Sequence, residues 1–208
     1  VEHGSHSYLP FLTAPYADRI RTSARILAVE RRDDGVSLRL AGEAPLAFDD
    51  VVFACHGDTV LSLLSDPTDA EREVFAHFET SENVAVLHTD ASVLPSRAEA
   101  RASWNYLLAD REGAPPMVTY DLNRLQRLRT PDQYCVTLNP TVAIDDARVI
   151  RRITYRHPLY TRASIAAQGR WAEVSRRRTH YCGAYWGYGF HERSEEHTSE
   201  LQSRLHLV

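Results

Sequence analysis

The segment Phe48-Asp49-Asp50-Val51-Val52-Phe53-Ala54-Cys55 constrains the fold more than any other part of the chain. Its nearly continuous apolar run suits a strand buried on both faces, as in a parallel sheet. The run ends at His56-Gly57-Asp58, and the spacing of Val60, Leu61 and Leu64 predicts a helix directly after it. This points to an α/β fold. Upstream, Tyr8, Leu9, Phe11, Leu12 and Tyr16 follow Gly4-Ser5 at a roughly helical spacing. Ile26, Leu27 and Val29 read as a short strand, Asp33-Asp34-Gly35 as a hairpin turn, and Val36, Leu38 and Leu40 as the returning strand.

The middle of the chain changes character. Asp66-Pro67-Thr68 opens a charged helix over 68–78. Strands are then expected at Asn83–His88, Arg101–Leu108, Met117–Asp121, Tyr134–Leu138 and Arg148–Tyr155. Turn signals separate them, among them Gly113-Ala114-Pro115-Pro116 and Asn139-Pro140. Together they read as an inserted, mainly antiparallel sheet. After His157-Pro158 a helix is expected over Thr161–Val174 and a strand at His180–Cys182. The implied domains are a split α/β domain (1–63 and 161–192) and an insertion (64–160).

Twenty-four basic residues against twenty-eight acidic ones give a net charge of -4, and no electrostatic reason to expect nucleic acid. No apolar run approaches the roughly 20 residues of a membrane span. Cys55, Cys135 and Cys182 form no CxxC pair and are odd in number, which argues against a disulfide framework or a zinc site and for a reducing, cytoplasmic setting. Nothing in the sequence sets an oligomeric state. The chain starts without methionine or a signal-peptide pattern, as a fragment would. Its last residues, Arg193–Val208, are polar and break the pattern; back-translated, Arg193–Ser203 fits one frame of a common sequencing adaptor, so they are expected to be a non-native tail.

Four separated segments carry a resemblance. Val1 through Tyr8, with Gly4 and Ser5, resembles a Gly-Gly-Ser helix start near a flavin. Ile20 through Gly35, with Ile26 and Leu27, is similar to a strand whose backbone meets adenine. Asp50 through His56, with Ala54 and Cys55, resembles an Asp-x-Val-Val-x-Ala strand end. Thr179 through Glu192 resembles a second flavin-contacting stretch, with Gly183, Ala184, Trp186, Gly187, Tyr188, Gly189 and Phe190 as the contacting residues. In their order and spacing these resemble the FAD-dependent oxidoreductases of the flavin amine oxidase type, above all a bacterial branch of NAD/FAD-binding, amine-oxidase-like proteins. Ser103 through Tyr106, Tyr120 through Gln126 and His157 through Thr161 also resemble that branch. The resemblance implies part of a Rossmann-like FAD-binding domain of the glutathione-reductase/amine-oxidase type, with an inserted substrate domain. It implies FAD as cofactor and a small-molecule substrate that loses a hydride to flavin N5. It also implies a Gly-rich G-x-G-x-x-G turn upstream of Val1.

Blander readings stand beside these. Gly4-Ser5 serves equally as a helix cap, and Cys55 as a small apolar residue at a strand end. Trp104, Asn105, Tyr120 and Asn139 read either as substrate-pocket lining or as sheet-face packing. His180, Cys182 and His191 lack the carboxylate or second cysteine that would complete a metal site. Gly4-Ser5-His6-Ser7 is not the G-x-S-x-G elbow of hydrolases. No catalytic base is legible. Two alternatives to amine-type oxidation stay open: a flavin-dependent desaturase or isomerase of a lipid-like substrate, and a non-catalytic scaffold that keeps the flavoprotein fold.

Overall fold

The computed structural model describes residues 5–108, 117–176 and 178–189, and it divides into two units. One comprises the described residues among 1–20 and 82–157, the other those among 21–81 and 158–208.

The chain opens with α1 (Leu9–Thr13) between 3-10 turns at Ser5–Tyr8 and Ala14–Arg19. The single helix expected from Tyr8 to Tyr16 is thus broken. Pro15 has no N–H for the i→i−4 bond, so a new turn has to start there. No residue of α1 is buried, and Phe11 is 82% exposed. Next come β1 (Ile26–Arg31), β2 (Val36–Leu40), β3 (Leu46–Phe48), β4 (Val51–Phe53), α2 (Gly57–Leu63) and α3 (Asp69–Phe75). They are followed by β5 (Thr80–His88), β6 (Trp104–Leu107), β7 (Met117–Asp121), α4 (Leu122–Leu125), β8 (Cys135–Leu138) and β9 (Val149–Pro158). The described chain closes with α5 (Arg162–Gln168), α6 (Trp171–Val174) and β10 (Thr179–Tyr181). Among the described residues no helix is long and apolar enough to cross a membrane.

In the unit of residues 21–81 and 158–208, β1, β2 and β3 form an antiparallel meander. The expected hairpin is present, closed by the Arg32 N–H on the Gly35 carbonyl at 2.8 Å. Glycine is required here because a Cβ at residue 35 would lie 2.6 Å from the Phe48 carbonyl oxygen. The run from Phe48 to Cys55 is two strands rather than one. Asp49 and Asp50 interrupt it, β3 pairs with β2, and β4 pairs in parallel with β10. Only the second half therefore meets the parallel-sheet expectation. The helix expected over Thr161–Val174 likewise divides at Gly169-Arg170 into α5 and α6, as glycine's low helix propensity favours. The charged helix shortens to α3, fixed at its start by a reciprocal capping box between Thr68 and Glu71.

These elements close over a core of Val29, Phe53, Val60, Val74, Phe75, Phe78, Trp171, Tyr181, Tyr185 and Trp186. Its centre is aromatic: Phe75 meets Tyr181 at 4.6 Å between ring centroids, and Phe78 meets Trp186 at 4.8 Å. Inside this apolar shell sits Glu71, 1% exposed. Its carboxylate accepts two hydrogen bonds from Arg31 (2.6 and 3.0 Å), one from the Thr68 N–H (2.7 Å) and one from the Tyr181 hydroxyl (2.7 Å). Burial alone would push this carboxyl up; the bonds from Arg31, Thr68 and Tyr181 outweigh it and hold the group below the usual carboxylate range.

In the other unit β6, β7, β8, β5 and β9 form a five-stranded sheet in that order, with the β6–β7, β7–β8 and β8–β5 pairs antiparallel. The register places Trp104, Tyr120, Val136 and Leu87 in one cross-strand row, and Tyr106, Val118, Leu138 and Ala85 in a second row on the same face. The opposite face carries the row Asn105, Thr119, Thr137 and Val86. That row is buried, its polar members included. His88 Nε2 meets the Thr137 hydroxyl at 2.8 Å, Thr137 meets Thr119 at 2.9 Å, and Asn105 donates to the Thr119 carbonyl at 3.3 Å. His88 Nδ1 accepts from the Asp90 N–H at 3.1 Å, which assigns the imidazole proton to Nε2. Burial pushes the His88 pKa down.

Asp90 follows in the next turn and accepts from the backbone N–H groups of Asp145 and Ser92, each at 3.0 Å. Those bonds, Asp145 first, lower its pKa from 3.8 to about 2. A depressed folded-state pKa gives stability that is complete above pH 3.8 and is lost as pH falls towards about 2. Asp90→Asn keeps an acceptor oxygen but cannot titrate. Melting temperatures measured across that window are expected to fall less steeply for Asp90→Asn than for the parent; parallel slopes would contradict the assignment.

Candidate functional site

In an open α/β sheet, ligands bind beyond the carboxyl ends of parallel strands. Here those ends are Ala54-Cys55 after β4 and Cys182-Gly183-Ala184 after β10. The register Tyr181↔Phe53 and the Cys182 N–H on the Phe53 carbonyl (3.0 Å) bring the two ends side by side. Ala54 is exposed, and Cys55, Gly183 and Ala184 are half-buried. Burial pushes the Cys55 and Cys182 thiols up, so neither is set up as a thiolate nucleophile.

The loop after β10 is held from inside. Gly183 adopts φ 155, ψ 157, a conformation essentially reserved for glycine, and a Cβ there would lie 2.6 Å from the Tyr185 ring. The Trp186 and Gly187 N–H groups bond back to the Gly183 and Ala184 carbonyls. Gln168 reaches from α5 and donates to the Tyr185 carbonyl at 3.0 Å and the Gly187 carbonyl at 2.7 Å. Sequence reasoning missed Gln168, since a glutamine on a helix carries no signal of the loop it ties down. Trp186 is 4% exposed and packs on Phe75 and Phe78, so its ring belongs to the core. Gly187 is buried, whereas Tyr188 and Gly189 are exposed. Ile26 and Leu27 are both exposed on β1. Gly4, Phe190, the side chain of Ser5, and the expected tail Arg193–Val208 lie outside the described residues.

The four residues considered as pocket lining separate. Trp104 and Tyr120 share the outward face of the five-stranded sheet and meet edge to face, at 5.7 Å and 68°. Asn105 points the other way. Its amide is occupied by the Ala102 N–H (3.0 Å), the Ala102 carbonyl (2.8 Å) and the Thr119 carbonyl. Asn105 also lines a cavity of about 470 Å³ with Leu94, Leu107, Met117 and Val142 among others. Asn139 takes φ 49 after β8 and uses its amide on the Val84 N–H (3.1 Å) and Asn83 (2.7 Å), which makes it a strand-end clamp.

No protein-family model matches the chain, and no curated protein matches it. Solved structures do. A CLA-producing fatty acid isomerase from P. acnes superposes with a TM-score of 0.64 at 17% identity, covering 99% of this chain and 52% of that one. A putrescine oxidase bound to putrescine gives 0.59 at 10% identity, with 97% and 53% covered. A reduced UDP-galactopyranose mutase gives 0.58 at 9% identity, with 91% and 48% covered. The chain spans about half the length of the structures it resembles. At these identities the likeness establishes the fold: α/β, part of a Rossmann-like domain of the FAD-binding flavoenzyme type, with a mainly antiparallel sheet.

Proposed function

We propose that this chain is part of an FAD-dependent oxidoreductase acting on a small molecule. The observation that carries the proposal is the pair of parallel strand ends, where Ala54, Cys55, Gly183 and Ala184 are all small and none is fully buried. Small residues let backbone N–H groups come close to a dinucleotide, and these residues fit that task. In this reading the backbone at Ile26 and Leu27 borders the adenine, while Gly4, Ser5, Gly187, Tyr188, Gly189 and Phe190 line the flavin. Gln168 fixes the carbonyls of Tyr185 and Gly187 so that the lining loop keeps one shape. Trp186 supports that loop from the core. Bound FAD would supply the electron-accepting chemistry, taking a hydride from a substrate C–H at flavin N5. The residues named here bind and orient; none is assigned as a catalytic base. A lipid-like substrate is the second reading, and the apolar outward face of the sheet favours it over an amine.

The test uses the proposed parent polypeptide, in which a Gly-rich βαβ unit is joined to this chain. Ala54 is exposed, so Ala54→Glu leaves packing intact and sets a carboxylate at the strand end proposed to meet the cofactor. FAD affinity, followed by quenching of flavin fluorescence, is expected to fall at least about tenfold, or ~1.4 kcal/mol. Ala54→Ser should leave it unchanged. Equal affinity in both variants would count against a dinucleotide at these strand ends.

A further inference from the structure

The connection from β7 to β8 runs Leu122-Asn123-Arg124-Leu125-Gln126-Arg127-Leu128-Arg129. Arginine and leucine are interleaved, with no carboxylate between Asp121 and Asp132. The base of the connection is fixed. Asp121 caps α4 through the Arg124 N–H at 3.1 Å, and the Leu122 N–H bonds to the Tyr134 carbonyl at 3.0 Å. Asn123 ties the two sides together: it donates to the Asp132 carbonyl and accepts from the Tyr134 N–H, each at 2.8 Å. The tip is closed by the Leu128 N–H on the Asn123 carbonyl at 3.0 Å. Between them Arg127 takes φ 53, the left-handed position that ends a helix and usually holds glycine. Arginine there carries backbone strain that glycine would avoid, which points to a use for its side chain. Arg124 through Arg129 are all exposed, Leu125 to 44% and Leu128 to 37%. Arg124 pairs with the buried Asp121 at 3.3 Å. Among the described residues no carboxylate pairs with Arg127 or Arg129.

We infer that this tip seats on the surface of a bilayer rich in anionic phospholipid. Two guanidiniums without a carboxylate partner ask for anionic oxygens. The exposed leucines beside them ask for hydrocarbon close to that charge. The boundary of an anionic leaflet offers both, phosphates outside and acyl chains beneath them. Nucleic acid offers the phosphates but no acyl layer for the leucines. A globular partner is recognised through roughly 20–30 residues a side, and this tip is one short turn; a bilayer deforms around a contact of any size. The chain as a whole carries a net charge of -4, so attraction is confined to the tip and is screened by salt. The inference does not depend on the flavin reading.

The test is sedimentation of the full 208-residue chain with vesicles at low ionic strength. The chain is expected to pellet with mixed phosphatidylglycerol and phosphatidylcholine, and to stay in solution with phosphatidylcholine alone. Arg127→Glu with Arg129→Glu should lower the apparent affinity at least tenfold and spare the melting temperature, since both positions are exposed. Arg32→Glu with Arg39→Glu makes the same change in net charge at exposed positions of the other unit, and should keep most of the binding. Leu125→Ser with Leu128→Ser should weaken it severalfold. Arg127→Gly relieves the left-handed backbone, so it should raise the melting temperature while weakening binding. No preference for the anionic vesicles would overturn the inference. So would an equal loss in the two charge-reversed pairs, which is a general charge effect, or full binding without the leucines, which is an ion cloud. A lower melting temperature in Arg127→Gly would show that the arginine serves the fold, and would overturn it as well. Release by inorganic phosphate, at an ionic strength where sodium chloride does not release the chain, would make the site one for a free anion and overturn the bilayer assignment.

Discussion

Glu71→Ala is expected to destabilise the chain by about 3–5 kcal/mol, because it takes the buried carboxylate from a guanidinium that the fold has already removed from water and leaves it only the half-exposed Asp66. Arg31 lies beneath the surface, its side chain 9% exposed, and gives Glu71 both terminal nitrogens. Its remaining bonds go to Asp66, through the carboxylate at 3.1 Å and the carbonyl at 2.6 Å. The substitution also takes the acceptor from the Tyr181 hydroxyl, whose pKa burial and the Glu71 carboxylate push upward, and removes half of the Thr68 capping box. Three elements would loosen together: the end of β1, the start of α3, and β10. Urea denaturation followed by circular dichroism measures the cost. Replacing both charges, as Arg31→Met with Glu71→Leu, should recover most of the loss, since a well-packed apolar pair of similar volume is often no worse than a buried ion pair. A single-variant cost below about 1 kcal/mol would show that water reaches this site and that the network is peripheral.

Trp186→Ala should cost a comparable ~3–5 kcal/mol. The indole fills the space between Phe75, Phe78 and Tyr185, with centroid separations of 5.7, 4.8 and 5.4 Å. Removing it opens a cavity at the meeting point of α3 and the loop after β10. The affected loop is the one proposed to line the flavin, so the kind of loss is informative. A residue that faced the ligand would cost affinity and spare the melting temperature. A core residue costs melting temperature first, and Trp186→Phe should recover a large part of it. A Trp186→Ala protein that melts where the parent does would contradict the core assignment.

The sequence made some of this legible and hid the rest for physical reasons. The alternation of Val36, Leu38 and Leu40 beside Asp33-Asp34-Gly35 gave the hairpin, because a two-residue period and a turn signal are both local. The parallel strand was read correctly at Val51–Phe53 and too long at its start. Pairing of Phe48 with Val36 is a tertiary fact, and the Asp49-Asp50 interruption looked tolerable inside an apolar run. Gly169 and Pro15 were visible breakers, yet a helical apolar spacing on either side argued for continuity. The strands of the larger sheet were found one by one, but not which face was buried. Alternation says that Trp104 and Asn105 point opposite ways; it does not say which one meets water. Hydrophobicity alone would have turned Trp104, Tyr120 and Val136 inward. The buried face instead holds the hydrogen-bonded series His88, Thr137, Thr119 beside Val86, Met117 and Cys135, and that series depends on three strands whose register no single segment encodes. The candidate site was legible through Ala54, Cys55 and Gly183, small residues at strand ends. Gln168 was not, since its partners are backbone carbonyls of a loop up to 19 positions away.

The flavin claim meets its most direct test in retention of FAD. The proposed parent polypeptide, incubated with FAD and passed through a gel-filtration column, should leave the column yellow. Its visible spectrum should show bound flavin near one per chain, and Ala54→Glu prepared in the same way should emerge largely colourless. A folded parent that emerges colourless after incubation with FAD would contradict the account and leave a flavoprotein fold used only as a scaffold.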